Sequence, residues 1–201
     1  MRKNWIFAVL VACFITTVGA FEKLRVYDES NPSTPLIQTS DYQEMAAVLG
    51  DINIRFEQWQ ANQELPVDFT QEGVIAAYQD DVNRLVMENG YKSVDVIRMF
   101  PDNPKKQMLR EKFLNEHQHS EDEVRFFVEG SGLFYLHVED RVYLVFCEKG
   151  DLISIPACYS HWFDMGDEPF FTAIRFFVEP NGWIANFTGS DIAKSFPRFG
   201  E

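Results

Sequence analysis

Three of the chain's four histidines lie in two short segments. His117 and His119 are two residues apart in HQHSEDEVRFFVEG, and His161 lies in GDLISIPACYSHWFDMG. Side chains two residues apart on a β-strand point to the same face, so the first two imidazoles can share one ion. Glu123 follows a predicted tight turn at 120–122 and can face back toward them. The pattern predicts a pocket with three nitrogen ligands and one oxygen ligand.

Such a donor set is typical of a catalytic metal ion. Neutral imidazoles with a carboxylate suit Fe(II), Ni(II), Mn(II) or Zn(II), and four protein ligands on an octahedral ion leave two positions where a substrate can chelate. A structural zinc site is disfavoured, because such sites are closed, tetrahedral and often rich in cysteine. The alternative is an accidental cluster of three core histidines.

Strand alternation predicts two arginines in the same pocket. If Glu123 faces inward, so does Arg125, and Arg175 shares a face with Phe171 and Ala173 on a later strand. A guanidinium inside an apolar barrel needs an anionic partner. A substrate anion and a structural ion pair both satisfy that need, and spacing alone leaves the two open. His137 has no ligand partner nearby in the sequence and is predicted to lie on a strand surface.

The elements that must position these residues are mainly strands. From 115 to 178 the chain consists of short runs rich in Val, Phe, Tyr, Leu and Ile, separated by turns, which predicts a small barrel or jelly roll. Helices precede it and are expected to pack outside the barrel. They are predicted over 42–49 with Asp41 as its cap, over 70–89, and after Asn103 and Pro104 with Met108, Leu109 and Phe113 on the inner face.

Length and composition limit the classes of protein that the chain can represent. Its 201 residues, 46% hydrophobic and 15% aromatic, suit one globular domain. The net charge of −13 argues against a nucleic-acid partner, which usually requires a basic patch. Cys13, Cys147 and Cys158 are an odd number without metal-binding spacing, so a disulfide framework is not expected.

The N-terminus resembles a secretory leader. Arg2 and Lys3 precede an apolar run over 5–18, and small residues end at Ala20. The run is shorter than the roughly 18 to 20 apolar residues that span a bilayer, so no stable membrane span is expected. Residues 1–20 are therefore either a signal-like leader or the product of an over-extended start, and 21–201 form the single domain.

The spacing of the two histidine segments resembles the two motifs of the cupin superfamily. Gly130 follows Glu123 in the first motif, and Gly150, Pro156 and His161 follow one another in the second. The resemblance implies a double-stranded β-helix, or jelly-roll barrel, with His117, His119, Glu123 and His161 as metal ligands. The chain departs from the second motif at Cys158, where Gly is usual, and at Met165, where Asn is frequent.

A narrower resemblance covers about 24–199. The segments NEHQHSEDEVRFFVEGSGLFYLHVED, SIPACYSHWFDMG and AIRFFVEPNGW are similar to the acireductone dioxygenase family of methionine salvage. This implies one Fe(II) or Ni(II) per monomer and cleavage of 1,2-dihydroxy-3-keto-5-methylthiopentene with O2. In that family the iron form yields 4-methylthio-2-oxobutanoate and formate, whereas the nickel form yields 3-methylthiopropanoate, formate and CO.

The family's functional residues transfer to matching positions of this chain. Arg125 matches the arginine that helps form the substrate dianion, a role that a nearby positive charge favours. Glu116 and Asp122 match acids with supporting roles in metal loading and in relaying local change, although solvated acids beside a turn are the simpler interpretation. The positions that match the substrate pocket are Phe113, Phe163, Arg175 and Trp183.

The expected partners are therefore the small acireductone and O2, with no nucleic acid, and the expected state is a monomer in the cytoplasm. The signal-like residues 1–20 keep an exported protein as the alternative location. Two other functions stay open: a different cupin dioxygenase or isomerase, and an exported cupin that binds metal without catalysis.

Overall fold

The computed structural model describes residues 22–65, 70–179 and 184–201. The predicted leader at 1–20 lies outside the described residues. Within them, no helix has both the length and the apolar character that crossing a bilayer would require.

Strands make up most of the regular structure in the described residues. The helices are α1 (Tyr42–Gly50), α2 (Gln71–Ala77), α3 (Gln79–Asn89) and α4 (Lys106–Phe113), with a 3-10 turn at Ile192–Lys194. The strands are β1 (Leu24–Asp28), β2 (Ile37–Thr39), β3 (Arg55–Gln58), β4 (Ser93–Met99), β5 (His117–Gln118), β6 (Glu123–Val138), β7 (Arg141–Glu148), β8 (Asp151–Ile155), β9 (Ser160–Asp164), β10 (Phe171–Phe177) and β11 (Asn186–Phe187). The prediction of a mainly β protein is confirmed.

Strand β6 belongs to two sheets. Its first half lies in sheet I, ordered β4-β10-β6-β8-β3, and its second half in sheet II, ordered β2-β1-β7-β6-β9-β5-β11. The strand passes between the sheets at Gly130, which has φ +66°. A Cβ atom there would lie 1.8 Å from the carbonyl oxygen of Phe170, so only glycine fits this close approach.

Alternation along β6 divides the apolar residues among three cores. Phe127 and Phe134 point into the barrel interior, where they pack with Ile153 and Phe171. The intervening residues of sheet I, such as Phe126, point outward and are covered by α2 and α3. The outward residues of sheet II, such as Tyr135 and Trp162, are covered by the C-terminal segment through Phe196. The helices thus pack outside the barrel, as predicted.

Three details of the helix predictions were wrong. The helix predicted over 70–89 breaks at Tyr78 (φ −115°, ψ 27°), whose buried ring packs edge-on against Phe126. Helix α4 begins at Lys106 rather than beside Pro104, because Asn103 instead accepts a hydrogen bond from Lys105 N in a preceding turn. Met108 is 58% exposed, since it lies about 100° around the helix from Leu109.

Candidate metal centre and adjoining cavity

Three strands bring the four predicted ligands together. His117 on β5 is the register partner of His161 on β9, and Glu123 is the first residue of β6. His119 directly follows β5, before the bend at 120–121. One possible ligand atom from each of the four lies within 4.8 Å of the others, and all four residues are buried. The predicted three-nitrogen, one-oxygen set is therefore a single cluster.

The three imidazoles are oriented by backbone carbonyls. His117 Nδ1 donates to Asn115 O (2.7 Å), and His119 Nδ1 donates to Ile184 O (2.9 Å). His161 Nδ1 donates to Tyr159 O (2.9 Å). A carbonyl oxygen can only accept, so each Nδ1 carries a proton, and Nε2 is the ring nitrogen left to face a metal. This is the usual second interaction of a metal-binding histidine.

Glu123 divides its two carboxylate oxygens between two tasks. Oε1 accepts from Arg125 Nε (2.6 Å) and Nη2 (2.5 Å), while Oε2 lies 2.7 Å from His161 Nε2 and 3.1 Å from His119 Nε2. Burial opposes ionisation, but the Arg125 and His161 charges and the imidazole hydrogen bonds hold the pKa of Glu123 well below its ordinary value. The carboxylate is therefore ionised, with Oε2 directed at the imidazoles.

Burial also sets the state of the imidazoles. It is the main reason that the pKa of His117 falls to about 4, with repulsion from His161 adding to it. His117 is therefore neutral near pH 7, the form that binds a metal. Burial lowers the pKa of His119 as well, but the hydrogen bond and charge of Glu123 outweigh it, and the net pKa is raised.

These donors fit a divalent ion. Ligand atoms about 2.1 Å from one ion lie at most about 4.2 Å apart, so small side-chain adjustments from the observed cluster suffice. Three imidazoles and one carboxylate also match the donor preference of Fe(II) and Ni(II). The cluster can hold one such ion.

A cavity of about 500 Å³ opens from this cluster. Besides the four ligands, its charged lining residues are Asp95, Lys112, Arg125 and Arg175. Its apolar lining residues are Ile97, Leu109, Phe113, Phe163, Phe171, Ala185 and Phe187. One end therefore offers a metal and fixed charges, and the remainder offers an apolar wall.

Both predicted arginines line this cavity, and both are paired with carboxylates. They are register partners on neighbouring strands, Arg125 on β6 and Arg175 on β10. Arg125 binds Glu123, whereas Arg175 binds Asp95 through Nε (2.6 Å) and Nη2 (2.5 Å). The Arg125 Nη1 atom is buried and has no hydrogen-bond partner among the described residues. An ion pair therefore does not use all the donors of Arg125.

The remaining predicted site residues lie in different places. Phe113 and Phe163 line the cavity. Glu116 does not line it: the side chain is 4% exposed and lies behind the centre. Asp122 accepts from Ala157 N (2.9 Å) and lines a separate space of about 20 Å³ beside Glu123. Trp183 lies outside the described residues.

His137 lies on β6 outside the four-ligand cluster, and it has two carboxylate partners that the sequence did not indicate. Its Nδ1 lies 2.6 Å from Glu116 Oε1 and its Nε2 lies 2.9 Å from Glu29 Oε2. The hydrogen bond to Glu116 is the main cause of a raised pKa at His137. Both acids are distant in the sequence, so spacing along the chain carried no sign of them.

Sequence reasoning missed several residues that line the cavity. Asp95 had a usable signal, because it lies two residues before Ile97 and four before Met99, so strand alternation places its carboxylate on the same face as these apolar side chains. Ala185 and Phe187 had none, since β11 is only two residues long and Ala185 lies just before it. Lys112 lies one residue from the predicted Phe113 on α4.

Comparison with known proteins agrees with this site. A statistical description of the ARD/ARD′ family matches residues 23–185. The acireductone dioxygenase of Stenotrophomonas maltophilia (strain K279a) is 56% identical over 177 residues, 88% of this chain and 96% of that protein. The acireductone dioxygenase of Alcanivorax borkumensis is 57% identical over 176 residues, 88% of this chain and 97% of that protein.

A solved structure shares the fold. The acireductone dioxygenase from Bacillus anthracis, with a cadmium ion in its active centre, superimposes with a TM-score of 0.71 at 28% identity. The match covers 84% of this chain and 99% of that one. The predicted cupin barrel is thus confirmed by a related structure.

Proposed function

The chain belongs to the ARD/ARD′ family and is a dioxygenase of the metal-binding cupin type, and from that premise we propose that it cleaves 1,2-dihydroxy-3-keto-5-methylthiopentene with O2. The observation that carries the proposal is the junction of the four-ligand cluster with the half-buried Arg125 at one end of an apolar cavity. An enediol ketone has vicinal oxygens for the polar end and a methylthio chain for the apolar wall.

His117, His119, Glu123 and His161 are proposed to hold one Fe(II) or Ni(II) per monomer. A bound ion would supply Lewis acidity for the substrate oxygens and for the O2 chemistry. Iron is proposed to give 4-methylthio-2-oxobutanoate and formate, and nickel to give 3-methylthiopropanoate, formate and CO. Both sets conserve the atoms of substrate plus O2. The four donors suit either ion, so the metal supplied by the cell decides the products.

Arg125 is proposed to favour the dianionic substrate. Its guanidinium lies beside the Glu123 ligand, and the buried Nη1 has a free N–H for a substrate oxygen. A fixed positive charge in a water-poor pocket lowers the free energy of an enediolate relative to the enediol. Arg125 thus stabilises the deprotonated form without transferring a proton itself.

The other predicted residues are proposed to shape the pocket. Phe113 and Phe163 would contact the methylthio chain, and Trp183 keeps the substrate-binding role that its match to the family implies. Arg175 would contribute a weaker field than Arg125, because both oxygens of Asp95 pair with Arg175, whereas Glu123 also faces the imidazoles. Glu116 and Asp122 remain proposed supporting residues, which act through the side chains and backbone that they hold rather than on the substrate.

The biological setting follows from the substrate. We propose a place in methionine salvage, a monomeric state and a cytoplasmic location. N-terminal sequencing of the native protein tests the location: a cut after Ala20 would favour export, and an unprocessed start near Val18 would favour the cytoplasm.

The deciding experiment is O2 uptake on a synthetic acireductone by protein loaded separately with Fe(II) and Ni(II). We expect uptake with both ions, the 2-keto acid from the iron form and CO from the nickel form. The Glu123→Ala variant is the control and should bind neither ion. Absence of uptake with both metals, at full metal occupancy, would refute the proposed activity.

A further inference from the structure

The segment Ile184–Thr188 lies against the metal centre although it is remote in the sequence. Its strand β11 pairs with β5, placing Asn186 opposite Gln118 and Phe187 opposite His117. The Phe187 ring lies edge-on to the His117 imidazole with centroids 5.9 Å apart. Ala185 and Phe187 line the cavity. The segment therefore borders both the ligands and the substrate space.

This segment also orients one metal ligand. His117 and His161 each bond to a carbonyl two residues earlier, so their own strands fix those rings. The acceptor of His119 is Ile184 O, 65 residues away. The orientation of His119 therefore depends on where the 184–188 segment lies.

The far end of the segment is fixed at two points on Glu116. Thr188 N donates to Glu116 O (3.1 Å), and Thr188 Oγ1 donates to Glu116 Oε2 (2.5 Å). The other carboxylate oxygen of Glu116 accepts from His137, which is itself bonded to Glu29. Glu116 is thus a buried anchor that accepts a hydrogen bond at each carboxylate oxygen, one from His137 and one from the Thr188 hydroxyl.

We propose that Thr188 is a positioning residue for the metal centre. Its hydroxyl, held by Glu116, fixes the 184–188 segment so that Ile184 O keeps His119 with Nε2 directed at the ion. The inference rests on the proposed metal role of His119. Loss of the hydroxyl frees this end of the segment and weakens the hydrogen bond that orients His119. The ion then dissociates faster, although none of its ligands has changed.

The test compares three variants of the full chain loaded with Co(II) or Ni(II). Thr188→Val removes the hydroxyl and keeps the shape of the side chain, whereas Thr188→Ser retains the hydroxyl and loses only the methyl group. Thr39→Val is the matched control, because Thr39 makes the same kind of bond, to Glu44 Oε2 at 2.6 Å, on strand β2 outside the centre. The measurements are the rate of metal transfer to a chelator, the visible spectrum of the Co(II) form, and thermal stability.

We expect Thr188→Val to release metal about threefold to tenfold faster and to alter the Co(II) spectrum, since outer contacts of ligands typically change metal affinity 10–100-fold when they act directly. Thr188→Ser should return to within about twofold of the unmodified chain. Thr39→Val should release metal at the unmodified rate even if it unfolds at a lower temperature.

If Thr188→Val and the unmodified chain release metal at the same rate, the inference about Thr188 is overturned, while the proposed metal centre stands. Faster release from Thr39→Val would also overturn it, since general loosening would then explain both. If the unmodified chain binds no ion, and so does not differ from Glu123→Ala, the proposed metal centre itself fails.

Discussion

The two arginines of the cavity occupy equivalent positions on neighbouring strands but have different partners. Arg125 bonds a single oxygen of Glu123 through Nε and Nη2, and the other oxygen of that carboxylate faces the imidazoles. Arg175 forms a two-oxygen pair with Asp95. The carboxylate beside Arg125 thus serves the metal cluster as well, whereas both oxygens of Asp95 serve Arg175.

This difference indicates which positive charge is available to a ligand. Asp95 neutralises Arg175 with the geometry of a strong, directional pair. Glu123 shares its charge among Arg125, His119 and His161, and Arg125 keeps a buried N–H without a partner among the described residues. A buried donor without a partner is costly in a folded protein unless a ligand or water meets it. Arg125 is therefore the better candidate for contact with a substrate anion.

The largest effect is expected from Glu123→Ala. Metal affinity and turnover should each fall by about 100-fold or more. Loss of an outer contact of a ligand already costs about 10–100-fold in metal affinity, and loss of a direct ligand should cost more. Stability should fall by up to about 3–5 kcal/mol, since the half-buried Arg125 loses its partner. Elemental analysis, O2 uptake and urea unfolding measure the three. Glu129→Ala, on the same strand but bonded to Thr172, is the control that should keep its metal.

Arg125→Met should come next. We expect kcat/KM to fall by about 100-fold with the metal retained, which is the usual cost of removing one group that stabilises a developing oxyanion. Arg125→Lys should recover only part of the loss, because an ammonium lacks the planar fork. Steady-state O2 uptake and metal content distinguish the outcomes. Parallel loss of metal and rate would instead indicate that Arg125 only supports Glu123.

Arg175→Met should have a smaller effect on turnover than Arg125→Met. We expect KM to rise by about tenfold, or about 1.4 kcal/mol, with kcat nearly unchanged. Stability should also fall, because Asp95 is left without its cation, and adding Asp95→Asn should recover part of that stability. A double-mutant cycle measured by urea unfolding tests the coupling. Equal losses of kcat/KM at the two arginines would abolish the distinction drawn between them.

Asp95→Asn should give the smallest change. Removing this carboxylate leaves the charge of Arg175 without its offset, so KM for an anionic substrate should fall by about twofold to threefold at low salt and return toward the original value as salt screens the field. KM measured at several ionic strengths provides the check. A rise in KM at low salt would indicate that Asp95 matters chiefly for the orientation of Arg175.

Much of the site was accessible from the sequence because its rules are local. The two-residue period of β-strands predicted that His117 would share a face with His119, and Glu123 with Arg125, and both follow from covalent geometry before any strand pairing is known. The partner of Arg125 was also within two residues. His161, 38 residues beyond Glu123, was proposed from its segment, and the resemblance to a family then matched it to the remaining ligand position.

Residues whose partners lie on distant strands were not accessible in this way. Asp95 meets Arg175 across 80 residues through the pairing of β4 with β10, and Glu116 meets His137 across 21 and Thr188 across 72. The break at Tyr78 has the same origin, since its ring packs on Phe126 of sheet I. Helical periodicity reports an apolar stripe but not the contact that interrupts it.

The sequence by itself determined the ligand types, the faces of the strands that carry them, and a mainly β fold. Only the tertiary structure decided which arginine is neutralised and which remote carbonyl orients His119. The physical reason is that side-chain alternation is set within each strand, whereas the register between strands depends on how all the buried faces pack together. The contacts that depend on strand register, such as those between Asp95 and Arg175, are therefore the ones that could not be predicted from the sequence.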